Sequence, residues 1–193
     1  MTLPITKNWR EWHIPLTQGD ATLREALTNL EALGSEQAQI PLMVQLVENP
    51  KFDLPGGDLF HGRVDLRTHD IIHILLGRGL LMHDEAFAIG FTMGSTNRVT
   101  TTEELLFQII SKFFYPNVYQ FDDGAIRIFK DATKLGYISD CTPLNQVDFD
   151  PLMDQSLDDV RNAVGIETDL IRAYYAIEKR RCPDDPASQR ILN

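Results

Sequence analysis

The sequence predicts an all-α protein, a single-domain multi-helix bundle of about eight helices that spans residues 1–193. Three observations support this fold class. Apolar residues recur at helical spacing, no stretch keeps the strict alternation of a β-strand, and capping residues or Gly and Pro breaks separate the apolar segments. A chain of 193 residues, of which 43% are hydrophobic and 24% charged, is long enough to bury one sizeable core.

The N-terminal part is expected to hold an arm and two helices. Residues 1–18 form the arm, and we expect both of its tryptophans to plug the core or a subunit interface rather than to rest on a membrane surface. Asp20 or Thr22 caps the first helix. A second helix is expected over 41–47, before an Asn-Pro break.

Two helices joined by a chain reversal are expected in the middle of the chain. The first covers residues 66–76, and Gly77 and Gly79 stop it and let the chain turn back. The acidic residues within 83–85 are typical of the first turn of the helix that follows. A further, very apolar helix is expected over 105–114.

The C-terminal part is expected to hold three more helices. The first runs from Asp122 to Leu135, with Gly136 as its stop. After a polar connection, two short helices are expected over 151–164 and 168–180. Residues 181–193, which contain closely spaced prolines and aspartates, are expected to form a frayed tail.

The charge and composition of the chain exclude several classes of function. There are 28 acidic and 18 basic residues, and the resulting net charge of −10 disfavours nucleic acid and electrostatic docking on anionic lipid. Two cysteines give no disulfide framework. No apolar run approaches the roughly 18 to 20 residues of a membrane-spanning helix, and the N-terminus lacks a secretory or transit pattern. We therefore expect a cytoplasmic protein.

Residues 65–85 carry the candidate chemistry. On a helix with about 100° per residue, His69, Asp70 and His73 lie on one face within an arc of about 100°. The other faces are apolar, which is typical of a buried helix. Two imidazoles and a carboxylate in such a place are expected to be paired or to hold a metal, because an unpaired buried charge is costly.

The chain reversal could bring a fourth group back beside His73, and spacing alone leaves His83, Asp84 and Glu85 open. Two neutral imidazoles with two carboxylates carry a charge that one divalent cation cancels. Mixed nitrogen and oxygen ligands suit zinc, iron or manganese, and suit Mg²⁺ less well. The alternative is purely structural, with a carboxylate that interacts with the helix dipole and core histidines whose hydrogen bonds are satisfied.

The pattern His69-Asp70-x-x-His73, followed after eleven residues by Glu85, resembles the signature of the Coq-four family of coenzyme Q (ubiquinone) biosynthesis proteins. A family member is expected to use these four residues as metal ligands. The resemblance thus implies a divalent metal as cofactor. The donor types make zinc the first expectation, with iron, manganese or magnesium as alternatives.

A second likeness lies downstream. Residues 148–150, 157–161 and 165–166 are similar to the family's acidic-aromatic stretch and to its Leu-acidic-acidic-Val-Arg run that ends in Gly-Ile. The chain departs from the family at 66–68, where Leu-Arg-Thr replaces the usual Tyr-Arg-Glu, and at Asp84, which replaces a usual Gly. The likeness covers the middle and C-terminal parts of the chain, and the departures concern the surroundings of the four ligand positions.

The resemblance also implies a substrate and a reaction. The ligand would be a polyprenylated quinone precursor or another prenyl lipid, and the protein would resemble a metal-dependent hydroxy-methoxy-polyprenylbenzoate decarboxylase that replaces the ring carboxylate by hydroxyl. Most apolar side chains of the hairpin and of 105–114 are expected to be core. The family substrates favour an apolar pocket between helices, where a prenyl tail would lie.

The partners implied by the resemblance are enzymes of quinone biosynthesis and, through weak peripheral contact, the inner membrane. We also expect a homo-oligomer and no nucleic acid.

Two other functions remain open. The first is a non-catalytic scaffold that binds a prenyl lipid for partner enzymes and in which the metal is structural. The second is an HD-type metal phosphohydrolase, with His61 or His13 as an upstream ligand and Asp122 or Asp123 as a downstream one. Basic phosphate-binding groups near the site are sparse, which disfavours the second.

Overall fold

The computed structural model describes residue 3 and residues 8–33, 64–98 and 121–192. These residues form seven α-helices, numbered α1 to α7 below, and no β-strand, so the all-α prediction is confirmed for the described part of the chain. About eight helices were predicted for the whole chain. Two of those predicted helices, at 41–47 and 105–114, lie outside the described residues.

Helix α1 (Leu23–Glu31) begins at the predicted capping box. The Thr22 hydroxyl accepts a hydrogen bond from the Glu25 backbone N–H at 3.2 Å, and the Glu25 carboxylate accepts one from the Thr22 backbone N–H at 2.9 Å. The apolar stripe of this helix faces the core, with four buried residues, Leu23, Ala26, Leu27 and Leu30. Capping and periodicity together therefore place α1 as the sequence predicts.

Helices α2 (Leu66–Leu76) and α3 (Met82–Ser95) form the predicted pair around the chain reversal. Gly77 follows α2 in the left-handed region with φ of 68°, and its N–H donates to the carbonyl of Ile74. The next residue, Arg78, donates its N–H to the carbonyl of His73 at 2.9 Å, which completes the usual glycine stop of a helix. The chain can then return along α3.

Helix α4 (Asp123–Ile138) packs closely against α3, and glycines make this approach feasible. A Cβ on Gly90 or Gly94 of α3, or on Gly136 of α4, would overlap a backbone carbonyl oxygen of the facing helix. The sequence predicted Gly136 as the end of its helix, and this is wrong. The helix continues to Ile138, because the missing side chain serves close packing rather than a turn.

Helix α5 (Leu157–Val164) is shorter than the predicted 151–164, because the Ser156 hydroxyl accepts from the backbone N–H of Asp159 and starts the helix there. The preceding residues form a short 3₁₀ turn over 150–152. Helix α6 (Thr168–Arg181) agrees with the prediction of 168–180.

The C-terminal residues are packed rather than frayed. Helix α7 (Pro186–Arg190) is capped by Asp185, whose carboxylate accepts a hydrogen bond from the Ser188 N–H at 2.8 Å. Ile191, just beyond it, is buried. The sequence predicted a frayed tail from its closely spaced prolines and aspartates, and a five-residue helix with little apolar content gives almost no periodic signal against that prediction.

The described part of the N-terminal arm packs against the core, through Trp12 and, partly buried, Trp9. Trp12 is buried, and its indole N–H donates to the side-chain oxygen of Asn29 at 2.9 Å. Arg161 of α5 is also buried and donates to the carbonyl oxygens of Leu75 at 2.9 Å and Leu16 at 3.2 Å. This one guanidinium therefore joins α5, the end of α2 and the arm.

No helix in the described ranges is both long enough and apolar enough to cross a bilayer.

Replacement of Gly77 by Ala tests the chain reversal. We expect Gly77→Ala to lower the free energy of unfolding by about 1–2 kcal/mol, because an L-residue with a Cβ is disfavoured in the left-handed region. The new Cβ would also lie 2.9 Å from Cγ of Leu16. Gly77→Asn is the comparison variant, since its Cβ meets the same Leu16 contact but Asn tolerates this backbone better. Urea unfolding measures both, and equal stability of Gly77→Ala and the wild type would contradict the expectation.

Candidate metal centre

The structure brings three of the four predicted ligands together. His69 and His73 lie one turn apart on α2, and Glu85 lies on the first turn of α3. One potential ligand atom of each lies within 4.8 Å of the other two. The exposed fractions are 8% for His69, 0% for His73 and 4% for Glu85, so the group is almost completely removed from water.

The three potential ligand atoms form a nearly regular triangle. The Nε2 atom of His69 lies 3.3 Å from Oε2 of Glu85, and the Nε2 atom of His73 lies 3.4 Å from the same oxygen. The two Nε2 atoms lie 3.4 Å apart. The two rings and the carboxylate therefore converge on one point, which a metal ion could occupy.

Apart from its contacts with the two histidines, the Glu85 carboxylate has no partner among the described residues. Both of its oxygens are buried and accept no hydrogen bond of good geometry there. Burial by itself raises the pKa of Glu85, but the charges of His73 and His69 outweigh burial and hold this pKa below its usual value. Burial likewise lowers the pKa of His73, and the Glu85 charge reverses that shift and raises it. A buried anion that lacks hydrogen-bond donors is a good ligand for a cation.

The orientation of His73 is fixed by the chain reversal. Its Nδ1 atom lies 2.6 Å from the carbonyl oxygen of Gly79. A carbonyl only accepts hydrogen bonds, so Nδ1 carries the proton and the lone pair of a neutral ring lies on Nε2, which faces Glu85. Histidines that bind metals commonly have such a partner on the other ring nitrogen.

Asp70, the remaining predicted ligand, does not join the group of three. It is half-buried on α2, and burial raises its pKa to about 6 although the charges of His69 and His73 oppose the shift. Asp70 therefore interacts electrostatically with His69 and His73, but its oxygens lie outside the triangle. A role for Asp70 as a direct ligand stays a prediction.

Among the three open choices for the fourth ligand, the structure brings Glu85 to the histidines. His83 contacts instead Asp185 through Nδ1 at 3.0 Å and Asp122 through Nε2 at 3.4 Å. Asp84 accepts a hydrogen bond from the backbone N–H of Leu81 at 3.0 Å. Consecutive residues at the start of a helix point in different directions, so only one of the three can face α2.

The HD-type interpretation gains no support from the described residues. Asp122, one of its downstream candidates, contacts His83 rather than the histidines of α2. His13, one of its upstream candidates, lies near the carbonyl oxygen of Glu11. His61 lies outside the described residues.

Sequence reasoning missed the buried charges around the chain reversal. Arg78, between the two glycines, is fully buried and forms two hydrogen bonds with Glu178, at 2.9 and 2.6 Å. The partner lies a hundred positions away in α6, so no local pattern could reveal it. The available signal was an arginine within an otherwise apolar turn.

Comparisons with protein-family models, with curated proteins and with solved structures found no match to this chain.

The hydrogen bond from His73 to Gly79 predicts one tautomer. In the metal-free protein, the neutral imidazole of His73 should carry its proton on Nδ1, and this proton should exchange slowly because it is buried. Nitrogen-15 NMR of the histidine side chains across an alkaline titration measures the tautomer. A neutral His73 with its proton on Nε2 would contradict the geometry.

The contact between His83 and Asp185 predicts a pH-dependent stability. Burial lowers the pKa of His83, but Asp185 outweighs burial and raises it. Burial raises the pKa of Asp185, but its hydrogen bond with His83 outweighs burial and lowers it. The His83 contribution is complete below its unfolded pKa of about 6.5 and is lost as pH rises through the raised folded value. The Asp185 contribution is complete above about 3.9 and is lost as pH falls through the lowered folded value.

We expect Asp185→Asn to destabilise the protein more at mildly acidic pH, between these two limits, than at alkaline pH. Asn keeps the helix cap, so the substitution removes the charge with little change to α7. Urea unfolding over a pH series, with a chelator present throughout, measures the difference from the wild type. A difference that does not change with pH would mean that the pair contributes only through its cap.

Proposed function

We propose that the protein binds one divalent cation between His69, His73 and Glu85 and acts there on a polyprenylated aromatic acid. The observation that carries this proposal is the buried triangle of two imidazole nitrogens and a carboxylate oxygen. The reaction follows from the resemblance to the Coq-four family: oxidative decarboxylation of a polyprenyl hydroxybenzoate. With O₂ as oxidant, two acid molecules and one O₂ give two phenols and two CO₂.

The types of donor atom favour zinc. Two imidazole nitrogens and one carboxylate oxygen lie 3.3, 3.4 and 3.4 Å from one another, and zinc commonly takes such mixed ligands. Mg²⁺ prefers oxygen ligands and water. Zinc would therefore be the first choice, and iron or manganese would be the alternatives, because two histidines and a carboxylate also hold non-haem iron.

The side chains have separate tasks in this proposal. When bound, the cation supplies a Lewis acid for a carboxylate or phenolate oxygen of the substrate. Glu85 balances part of the positive charge, and the Gly79 carbonyl keeps Nε2 of His73 directed at the site. The three ligand side chains are themselves almost completely buried, and removal from water strengthens each electrostatic interaction between them.

The prenyl tail would lie in an apolar pocket between helices, which remains part of the proposal. Support comes from the composition of α3, which is mostly apolar beyond its first turn. The predicted helix at 105–114, the other candidate wall, lies outside the described residues. The same proposal includes three kinds of partner. They are enzymes of quinone biosynthesis, the inner membrane through weak peripheral contact from the cytoplasm, and further copies of this chain.

Burial favours a second candidate function. His73 is fully buried and the other two side chains nearly so, as is common for metals that only stabilise a fold. In that case the protein would be a scaffold that binds a prenyl lipid for partner enzymes and turns nothing over.

Removal of one ligand tests the metal site. Structural zinc sites contribute about 10–16 kcal/mol over about four ligands, so we expect His73→Ala to weaken zinc binding by about 100-fold or more. His13→Ala is the matched control, since His13 lies outside the triangle. Elemental analysis of the purified proteins and competition with a coloured chelator measure content and affinity. Full metal content together with full activity in His73→Ala would rule out the proposed function.

Turnover separates the two candidates. Wild-type protein loaded in turn with zinc, iron or manganese is supplied with a prenylated hydroxybenzoate and O₂, and the phenol product is followed by mass spectrometry. Formation of the phenol product that depends on the bound metal supports the proposal of an enzyme. Tight lipid binding with no product under every metal supports the scaffold.

A further inference from the structure

Asp84 lies beside the metal ligand Glu85 but has different partners. It is fully buried on the first turn of α3. One oxygen, Oδ2, accepts from the Leu81 backbone N–H at 3.0 Å and from the Arg190 guanidinium. The other oxygen, Oδ1, lies 3.9 Å from Nη1 of Arg78 and is buried without a hydrogen bond among the described residues. Asp84 therefore lies between the guanidinium groups of Arg78 and Arg190, and it accepts a backbone N–H at the start of α3.

The first guanidinium belongs to the chain reversal itself. Arg78 is fully buried, with its guanidinium carbon 4.0 Å from the ring centre of Phe87 and 4.2 Å from that of Tyr175. It forms two hydrogen bonds with Glu178 and donates a third to the Tyr175 hydroxyl at 3.0 Å. These contacts attach the chain reversal to α6.

The second guanidinium comes from α7. Arg190 donates to Asp84 and to the carbonyl oxygen of Arg10 in the N-terminal arm. It also passes so close to Gly79 that a Cβ there would overlap it. The chain reversal is thus held from both sides, by α6 through Arg78 and by α7 through Arg190.

The charges of this network cancel. Two guanidinium groups, Arg78 and Arg190, face two carboxylates, Asp84 and Glu178. Loss of one carboxylate would leave a buried positive charge beside the candidate metal centre, and the remaining groups would have to move to find a partner. The network therefore specifies one arrangement of the chain reversal.

Two parts of the candidate metal centre lie on the segment that this network holds. The Gly79 carbonyl accepts the hydrogen bond that orients His73. Glu85 follows Asp84 directly and has no hydrogen-bond donor of its own among the described residues, so its position depends on the backbone that carries it. A small displacement here would move one edge of the triangle relative to α2.

The geometry points to Asp84 as a positioning residue of the metal centre: through Leu81, Arg78 and Arg190 it holds the backbone that carries the Gly79 carbonyl and Glu85. This inference rests on the proposed function, because it assumes that the triangle binds a cation. Asp84 itself does not touch the cation in this assignment. It acts on affinity by fixing two of the ligands.

The experiment compares the metal affinity of three variants with that of the wild type, with Zn²⁺ and Co²⁺ as probes. Asp84→Asn keeps the size and one acceptor oxygen but removes the charge. Arg190→Met removes one partner of Asp84 from a half-buried position near the C-terminus. Arg181→Met is the matched control, because it removes a C-terminal arginine whose ion pair with Asp131, at 2.9 Å, lies on the surface.

We expect Asp84→Asn and Arg190→Met to weaken zinc binding by about 10- to 100-fold, the effect usual for partners that orient ligands, and Arg181→Met to leave it unchanged. The visible absorption of bound Co²⁺, which reports ligand geometry, should change in the first two variants only. In their metal-free forms, NMR should show loss of the hydrogen bond between Nδ1 of His73 and Gly79. A role limited to stability would lower the unfolding free energy without these changes in the folded protein.

The outcomes separate this inference from the proposed function. Wild-type zinc affinity, an unchanged Co²⁺ spectrum and an intact His73 hydrogen bond in folded Asp84→Asn would overturn the positioning role alone. If Asp84→Asn does not fold, the same three results in Arg190→Met overturn it. Failure of the wild type to bind either ion would overturn the proposed function, and the positioning role of a metal centre with it.

Discussion

The contact between the Glu85 carboxylate and the imidazoles of His69 and His73 is the constraint on which the surrounding structure depends. A carboxylate that is 4% exposed, with no hydrogen-bond donor among the described residues, needs positive charge next to it to stay ionised. Protonated imidazoles or a cation can supply that charge. Each requires that α3 return to α2 with its first turn facing the same point, and the glycines at 77 and 79 make this return feasible.

Groups from distant parts of the chain hold this return in place. Arg161 binds carbonyl groups at the end of α2, and the Tyr175 hydroxyl donates to the carbonyl of Leu76. Arg78 reaches Glu178, and Arg190 reaches Asp84. The C-terminal helices therefore contribute to the candidate site without supplying a ligand. Buried ion pairs and hydrogen bonds depend on direction, so they constrain the arrangement of the chain reversal more strictly than apolar packing does.

Asp84 shows how a residue beside the candidate site depends on the tertiary structure. It is buried, and its carboxylate accepts hydrogen bonds from the Leu81 backbone N–H and from the Arg190 guanidinium. The three converging side chains lie on α2 and α3, whereas the groups that hold the start of α3 come from distant parts of the chain.

The sequence by itself determined the helical class, the capping box of α1, the reversal between α2 and α3, and the histidine pair, because each depends on residues within one or two turns of one another. Only the tertiary structure selected Glu85 over His83 and Asp84 and left Asp70 outside the triangle, since those outcomes depend on how two helices face each other. It also extended α4 through Gly136 and packed α7 into the protein, because a close helix approach and a buried arginine network join residues that are far apart in the chain. Local signals in a sequence fix helices and turns, whereas the direction in which a side chain points at a site is fixed by the neighbours that the fold brings to it.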